Sequence, residues 1–456
     1  MLDHSSDLRF YVFLWIGLTF AITFIQWKRS VAGTGLIVTL LFQLWGNYGL
    51  GGLIYALPNH PLLFWEEFGG SDFVWLGFKE ATVGLIGLGI GSALLGPVLS
   101  DMFRKRFPIN SQALPEERLI YFYIAIGLAS YFLIGTISEK IETLTAFAAA
   151  GWRMMLIGLC LLVWKKWREG NQLAFAGVVV AATCIVPTLT ILTRGFLSYG
   201  AIAVLTLHGF IVSFFQPRWK IAVVGLLVSY LGISVFVTYM RDRTEIRNAV
   251  WGGVSMTERA DTLSLTSKGF EFFNPNSAEH LNLIDARLNQ NFLVGASVNY
   301  IQSGFANFAN GNTVFGAFLA LVPRIFWPDK PATGGSGSLV SDYTGIGFAE
   351  GTSVGIGPIM ECYINFGSVG VFVGFLILGI LLAILDSSAG EALRNGDWKR
   401  FSYMYLPGIS LVDVSGALAE VISSAGAGLA FAWVVNNLFL RKLVEGPIPA
   451  KSSNSS

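Results

Sequence analysis

Apolar runs long enough to cross a lipid bilayer recur along this chain, and they constrain its fold more than any other feature. A hydrocarbon core of ~30 Å is crossed by about 18 or more consecutive apolar residues in a helix. Such runs lie near residues 10–27, 31–57, 81–99, 119–137, 144–164, 172–192, 197–216, 220–240, 367–386, 401–419 and 421–440. Within lipid, only helices and closed barrels satisfy every backbone polar group. A barrel is written in short alternating segments, and none stands out here. Charged residues make up 13% of the chain, about half the share of a soluble domain, and the mean hydropathy is +0.60. The expected fold is an all-α polytopic membrane protein with about 11 transmembrane helices. No internal repeat supports a transporter built from two halves.

Between the eighth and ninth runs the pattern changes. Residues 241–290 are polar, and 291–366 are irregular and partly apolar. The chain divides into an eight-helix region (1–240), a large loop region (241–366), a three-helix region (367–442) and a polar tail (443–456) expected to be disordered. The loop must cross the membrane an even number of times or not at all. Residues 291–327 are therefore expected to form a re-entrant segment, or a hairpin that raises the count to 13.

Basic residues set the orientation. Lys28 and Arg29, Arg104 to Arg106, Lys165, Lys166 and Arg168, Arg218 and Lys220, Arg394, Lys399 and Arg400, and Arg441 and Lys442 fall at every second connection. That side is expected to be the cytoplasm. The Glu66-Glu67 connection, residues 138–143 and the loop 241–366 then face the periplasm, as does the N-terminus, while the C-terminus is cytoplasmic. The segment before the first run carries Asp3, Asp7 and Arg9 and does not read as the basic start of a cleavable signal. The net charge of +1 gives no reason to expect nucleic acid. Cys160, Cys184 and Cys362 are far apart and read as small apolar packers, and no metal-ligand spacing occurs.

Cations on the outer side break this pattern, and they mark the chemistry. Arg241, Arg243 and Arg247 follow the eighth run, with Arg243 and Arg247 four apart on one helical face. Arg194 ends the sixth run, and Arg287 lies in DARLNQN. Residues 319–331 (LALVPRIFWPDKP) place Arg324, Trp327, Asp329 and Lys330 between prolines where a membrane segment meets water. Arginine offers a planar fork to phosphate, and tryptophan an apolar face to a sugar. Two readings stay open for the arginines: an anion site for a group such as pyrophosphate, or pairing with Asp242, Glu245, Asp261, Asp285 or Asp329 and snorkelling to lipid headgroups. Arg153, inside the fifth run, is either functional or paired with a carboxylate such as Asp413.

Residues 351–370 are glycine-rich and carry Glu361, Tyr363 and Asn365. Such backbone is tolerated at membrane depth where it lines a cavity. Residues 333–338 read as a mobile lid without the features of a phosphate loop. The candidates for a proton acceptor are Glu361, Asp329 and His280, in that order. Glu361 has a competing reading as a buried carboxylate satisfied by an arginine, and His280 as a solvated loop residue. His208 reads as packing, and His4 and His60 as loop residues.

Taken together, LVPRIFWPDKP, Arg287-x-Asn289-Gln290-Asn291, Gly311-Asn312-Thr313 and the stretch from Thr352-Ser353 through Pro358 to Glu361-x-Tyr363-x-Asn365-Phe366-Gly367 resemble the oligosaccharide repeat-unit polymerases, the O-antigen polymerase (Wzy-type) group of bacterial inner-membrane proteins. The resemblance covers about residues 285–370; elsewhere only span count and outer loops agree. It implies a glycosyltransferase of the C type at the periplasmic face of the inner membrane, acting in O-antigen or exopolysaccharide synthesis. Its substrate would be an undecaprenyl-pyrophosphate-linked oligosaccharide, with membrane lipids around it, a chain-length regulator as protein partner and no cofactor. Two alternatives remain: a ligase that moves finished polymer to another acceptor, and a transporter or flippase for the lipid-linked glycan.

Overall fold

A computed structural model describes residues 5–28, 33–57, 61, 63–103, 113–137, 147, 149–214, 219–322, 326–327, 329–330, 336–348 and 354–439. Arg324, the prolines at 323, 328 and 331, the tail 443–456, the 138–143 connection, His4, His60, Thr352, Ser353 and the basic residues at 29, 104–106, 218, 441 and 442 lie outside the described residues, as do 333–335 of the expected lid.

Among the described residues the chain is helical throughout. α1 is Ser5–Lys28. α2 (Leu36–Leu44) runs through a wide turn at Trp45–Gly49 into α3 (Leu50–Ala56). α4 (Gly70–Ile90) continues through a second wide turn into α5 (Gly96–Phe103). α6 (Glu117–Ile137), α7 (Arg153–Arg168), α8 (Gln172–Arg194), α9 (Leu197–Phe214) and α10 (Trp219–Arg241) follow. The loop region holds α11 (Arg243–Trp251), α12 (Met256–Lys268), α13 (Ala278–Leu288), α14 (Asn291–Gln302), α15 (Asn312–Leu319) and α16 (Ser336–Thr344). The chain ends in α17 (Gly357–Asn395), α18 (Trp398–Leu411) and α19 (Leu418–Val434), the last with a wide turn to Phe439.

Eight helical stretches among the described residues are long and apolar enough to cross a membrane: Ser6–Lys28, Leu36–Ala56, Gly70–Met102, Gln172–Arg194, Leu197–Phe214, Val223–Arg241, Gly357–Asn395 and Leu418–Phe439. The chain is an all-α polytopic membrane protein. Of the three other expected spans, two hold a helix and one is broken. The run at 119–137 is one helix, α6. The run at 144–164 becomes α7, which extends to Arg168. The run at 401–419 is broken: α18 has 14 residues, ~21 Å at 1.5 Å per residue, short of the ~30 Å core.

The seam between α4 and α17 relies on missing side chains. A Cβ on Gly87 would lie 2.4 Å from the Phe372 carbonyl, and one on Gly91 2.2 Å from that of Leu376. Small residues let membrane helices approach this closely, so dispersion and backbone contacts hold the pair. α17 breaks at Phe366 and Gly367, where Gly367 has φ 62°, a left-handed conformation that glycine adopts without steric cost. The apolar run expected from 367 begins at this break.

Contacts sort the helix ends onto two faces. On one, Arg9 donates to the Ala56 carbonyl, Arg194 to that of Tyr131 and Tyr239 to that of Gly195. This first face carries the 57–69 connection and the loop region. On the other, Trp27 donates to Val212 and Lys165 pairs with Glu117. Lys28, Lys166, Arg168, Lys399 and Arg400 belong to that second face, so these described basic residues fall together.

Among the described residues, the expected hairpin over 291–327 has no helix of spanning length. α14 has 12 residues and α15 has 8, ~18 and ~12 Å. The re-entrant feature begins earlier, at the DARLNQN segment. The Gln290 N–H donates to the Asn47 carbonyl at 2.9 Å, and Asn291 Nδ2 to that of Tyr48 at 2.7 Å. Both acceptors lie in the wide turn between α2 and α3, and Asn47 is about 13 Å inside the end of α3. α14 then runs back antiparallel to α4, with Asn291 against Gly77 and Gly295 against Phe73. A membrane interior supplies no water to exposed backbone, and the tip is satisfied by these helix carbonyls.

Candidate functional site

Three arginines meet on the first face. Asp242 turns the chain from α10 into α11, so Arg243 and Arg247 follow the span directly. α13 brings Arg287 beside them. Burial, then the charges of Arg287 and Arg247, push the Arg243 pKa below the ordinary arginine value. Burial, then Arg247, act on Arg287 in the same direction. Like charges brought together raise the free energy of the empty site.

No carboxylate answers them. Among the described residues, Arg243, Arg247 and Arg287 make no ion pair, and the nearby acids are committed elsewhere. Asp242 pairs with Arg241 at 2.7 Å. Glu271 binds Arg241 and His280. Asp285 is fully buried, accepting from Tyr55 Oη at 3.2 Å, the Trp65 N–H at 3.1 Å and Asn289 Nδ2 at 2.8 Å. Its burial pushes the carboxyl pKa up despite those bonds. The pairing expected as the alternative is thus adopted by Arg241, with Asp242, and not by Arg243, Arg247 or Arg287 among the described residues.

Aromatic rings carry the positive strip toward the bundle interior. Arg247 lies over Phe196 (4.4 Å) and Trp251 (5.1 Å). Phe196 contacts Tyr199. Arg194 lies over Tyr131 (4.6 Å) and Tyr199 (5.8 Å). Tyr199 in turn meets Trp152, and Arg153 lies over that ring at 6.0 Å. Such contacts hold a guanidinium in place without neutralising it. Five arginines singled out in the sequence, Arg153, Arg194, Arg243, Arg247 and Arg287, are therefore linked through rings or shared charge.

Arg153 ends the strip. Its Nη1 donates to Ser424 Oγ on α19 at 3.2 Å, and its buried Nε has no hydrogen-bond partner among the described residues. Asp413, between α18 and α19, is the carboxylate whose charge acts on it. Asp413 and Arg153 form no ion pair among the described residues, so the pairing named from the sequence is present only as a longer-range attraction.

The three expected proton acceptors fare differently. Glu361 is buried, and its Oε2 accepts the Leu418 N–H at 2.6 Å, with Thr313 a second donor. A helix start satisfies this carboxylate in place of the arginine expected from the sequence. Both ring nitrogens of His280 are occupied: Nδ1 accepts from the Asn274 N–H at 3.0 Å and Nε2 faces Glu271 at 3.1 Å. His280 is buried, not a solvated loop residue, and it has no nitrogen to spare for a substrate. Asp329 is exposed in the short described piece beside Trp327 and Lys330; Lys330 Nζ donates to the Val322 carbonyl at 3.0 Å.

Asn365 and Tyr363 hold the loop region together. Asn365 donates to Thr313 Oγ1 and to the Glu361 carbonyl, both at 2.7 Å, and accepts from the Gly311 N–H at 2.9 Å. Tyr363 lies against Phe308 and its hydroxyl meets Gln302. Neither touches the arginines. Sequence reasoning missed the tryptophan and tyrosine rings between the arginines, because Tyr131, Trp152 and Tyr199 lie in three separate apolar runs. It also missed Asp285 as a buried anchor. Its spacing to Asn289, one helical turn, was the available signal. Among the described residues, no group of three His, Cys, Asp or Glu is placed to hold a metal ion.

No curated protein sequence and no solved structure matches the chain. Residues 94–397, which hold all five linked arginines and Glu361, match the model of a family described as a domain of unknown function (DUF8712), and over more than half its length the chain is thereby a member of that family.

Proposed function

We propose that this protein polymerises oligosaccharide repeat units carried on a polyprenyl pyrophosphate, working at the periplasmic face of a bacterial inner membrane. The observation that carries this reading is the Arg243, Arg247 and Arg287 cluster, crowded together with no described carboxylate partner. Unneutralised guanidinium groups favour a multiply charged anion, and their forks match phosphate oxygens. Leaving-group charge develops on the pyrophosphate as the sugar departs, so donors already aimed there lower the barrier. A lipid-borne donor reaches such a site from the bilayer. The charged connections on the second face support a cytoplasmic assignment for that face by the positive-inside rule.

The test uses purified protein in nanodiscs with the lipid-linked repeat unit. A ladder of longer lipid-linked glycans is expected, and a deletion strain should accumulate single lipid-linked units. Transfer only to a different acceptor would make the protein a ligase. Movement of the substrate between leaflets with no new glycosidic bond would make it a transporter, and either outcome overturns the polymerase reading.

A further inference from the structure

Glu361 and His280 are each engaged by a backbone N–H, whereas a carboxylate lies at the break between α18 and α19. α18 rises ~21 Å from the second face before it stops, and Asp413 lies just past its end. Arg153 stands about 23 Å above Arg168 by the same rise. Arg194, at the end of a 23-residue helix, is ~33 Å above that face. Asp413 and Arg153 thus share a level roughly 10 Å below Arg194, inside the thickness of a bilayer core. A broken helix with charged residues at that depth is tolerated where it lines a wet cavity or is covered by protein.

The polar atoms at this level are incompletely used. Asp413 Oδ1 accepts from the Ser415 N–H at 3.0 Å and from Ser415 Oγ at 2.7 Å. Both fix the carboxylate through one oxygen, and Oδ2 makes no hydrogen bond among the described residues. Ser415 itself is exposed and Asp413 is half-buried. Opposite, the buried Arg153 Nε lacks an acceptor among the described residues, while Nη1 holds Ser424. A buried unsatisfied donor costs on the order of 1–3 kcal/mol, which a ligand oxygen would recover. Ser336 and Glu420 meet beside this break, 3.3 Å apart, and add a hydroxyl and a carboxylate. An open acceptor, an open donor and several hydroxyls, bordered by Trp152 and Tyr199, match the hydroxyl-rich edge and apolar face of a sugar.

We infer that the Asp413–Arg153 level is the acceptor subsite, where a sugar hydroxyl lies between Asp413 Oδ2 and Arg153. This rests on the polymerase reading and assigns its second substrate. In the transfer step the acceptor oxygen bonds to the anomeric carbon of the donor sugar. The bond from that carbon to the pyrophosphate oxygen breaks, and its electron pair leaves with the lipid pyrophosphate held by Arg243, Arg247 and Arg287. The hydroxyl proton passes to Asp413 Oδ2. The products are one new glycoside, one lipid pyrophosphate and one proton on the enzyme.

Two measurements test it. In a background with Cys160, Cys184 and Cys362 replaced by alanine, Asp413→Cys is treated with a charged thiosulfonate reagent added at the first face. Modification, slowed by the free repeat-unit oligosaccharide, is expected, whereas the buried neighbour Val412→Cys should stay unmodified. Lack of reaction at 413, or no protection by the oligosaccharide, overturns the subsite. Separately, Asp413→Asn should lower the polymerisation rate at least 100-fold, in line with removal of a general base, with unchanged thermal stability and retained donor binding. An Asp413→Asn enzyme at the wild-type rate overturns the inference and leaves the polymerase reading standing. A wild-type protein that forms no glycosidic bond removes the polymerase reading, and with it the step assigned to Asp413.

Discussion

The backbone N–H of Leu418 donates to Oε2 of Glu361 at 2.6 Å across 57 positions of sequence, so a carboxylate on α17 caps the start of α19. The first turn of a helix leaves N–H groups without partners, and no side chain of α19's own N-terminus supplies one. Glu361→Gln keeps an oxygen that can accept this bond. It should leave the melting temperature and polymerisation rate close to wild type. Glu361→Ala orphans a largely enclosed N–H and should cost about 1–3 kcal/mol. Thermal unfolding in detergent separates the two, and a Glu361→Gln protein that is stable but inactive would give Glu361 a direct part in the chemistry.

The arginine cluster makes a trade-off testable. Arg243 and Arg287 are held against like charge, so removing one relieves repulsion in the empty protein. Arg287→Ala should therefore be at least as stable as wild type without ligand. It should also bind a polyprenyl pyrophosphate about tenfold or more weaker, the loss of one charge-assisted contact. Arg287→Lys should recover only part of that binding, since it keeps charge but not the fork. Microscale binding with the lipid alone decides it; undiminished affinity in both variants would remove Arg287 from the site.

Asp285 gives a pH signature. Burial raises its carboxyl pKa above the ordinary value, which is ~4 for aspartate. A raised folded pKa means the folded state holds the proton more tightly than the unfolded state. The associated stability is fully present below the ordinary value and is lost as pH rises through the raised one. Asp285→Asn removes this titration. Melting temperature should fall with rising pH above ~4 more steeply in the wild type than in the variant. Parallel profiles would mean that Asp285 titrates normally.

Much of this was legible in the chain, and the boundary has a physical cause. Apolar run length located the helices because bilayer thickness fixes that length. It misjudged 401–419 because Asp413 and Gly416 interrupt a run whose average hydropathy stays high. The arginines were identifiable as cations opposite the basic connections, since the positive-inside rule makes them exceptions. Their association was not, because Arg287 reaches Arg243 only through the fold of 252–286. Glu361 and His280 stood out as ionisable groups near the right face. What disqualifies them as free acceptors is a backbone N–H from a distant helix in one case and from Asn274 in the other, and backbone donors leave no mark in a sequence.

His280 supplies a contrast with Asp413. Its Nδ1 is the acceptor for the Asn274 N–H, and its Nε2–H faces Glu271, so it ties the segment before α13 to the Arg241 end of α10. His280→Ala should lower stability by about 1–2 kcal/mol through lost hydrogen bonds and packing. Per folded molecule, it should polymerise within about twofold of wild type, far from the 100-fold expected of a missing base. A 100-fold loss with normal melting would return His280 to the list of proton acceptors.

The re-entrant tip provides the sharpest structural test. α14 lies so close to α4 that a Cβ on Gly295 would sit 1.7 Å from the Phe73 carbonyl oxygen, and one on Gly77 2.0 Å from that of Asn291. Both obstacles are backbone, which cannot rotate aside as a side chain can. Gly295→Ala must therefore push α14 away from α4, which loosens the grip of Asn47 and Tyr48 on Gln290 and Asn291. Overpacking of this kind costs about 1–3 kcal/mol or more. By contrast, Gly304 and Gly347 have nothing within 4 Å. Gly347→Ala is the better control, because Gly304 has φ 78° and would be strained by any side chain. Displacing α14 also frees the chain that leads to Arg287. Gly295→Ala should thus weaken pyrophosphate-lipid binding as well as melting temperature, while Gly347→Ala changes neither. Normal lipid binding by a destabilised Gly295→Ala protein would mean that the tip holds the fold together without positioning Arg287.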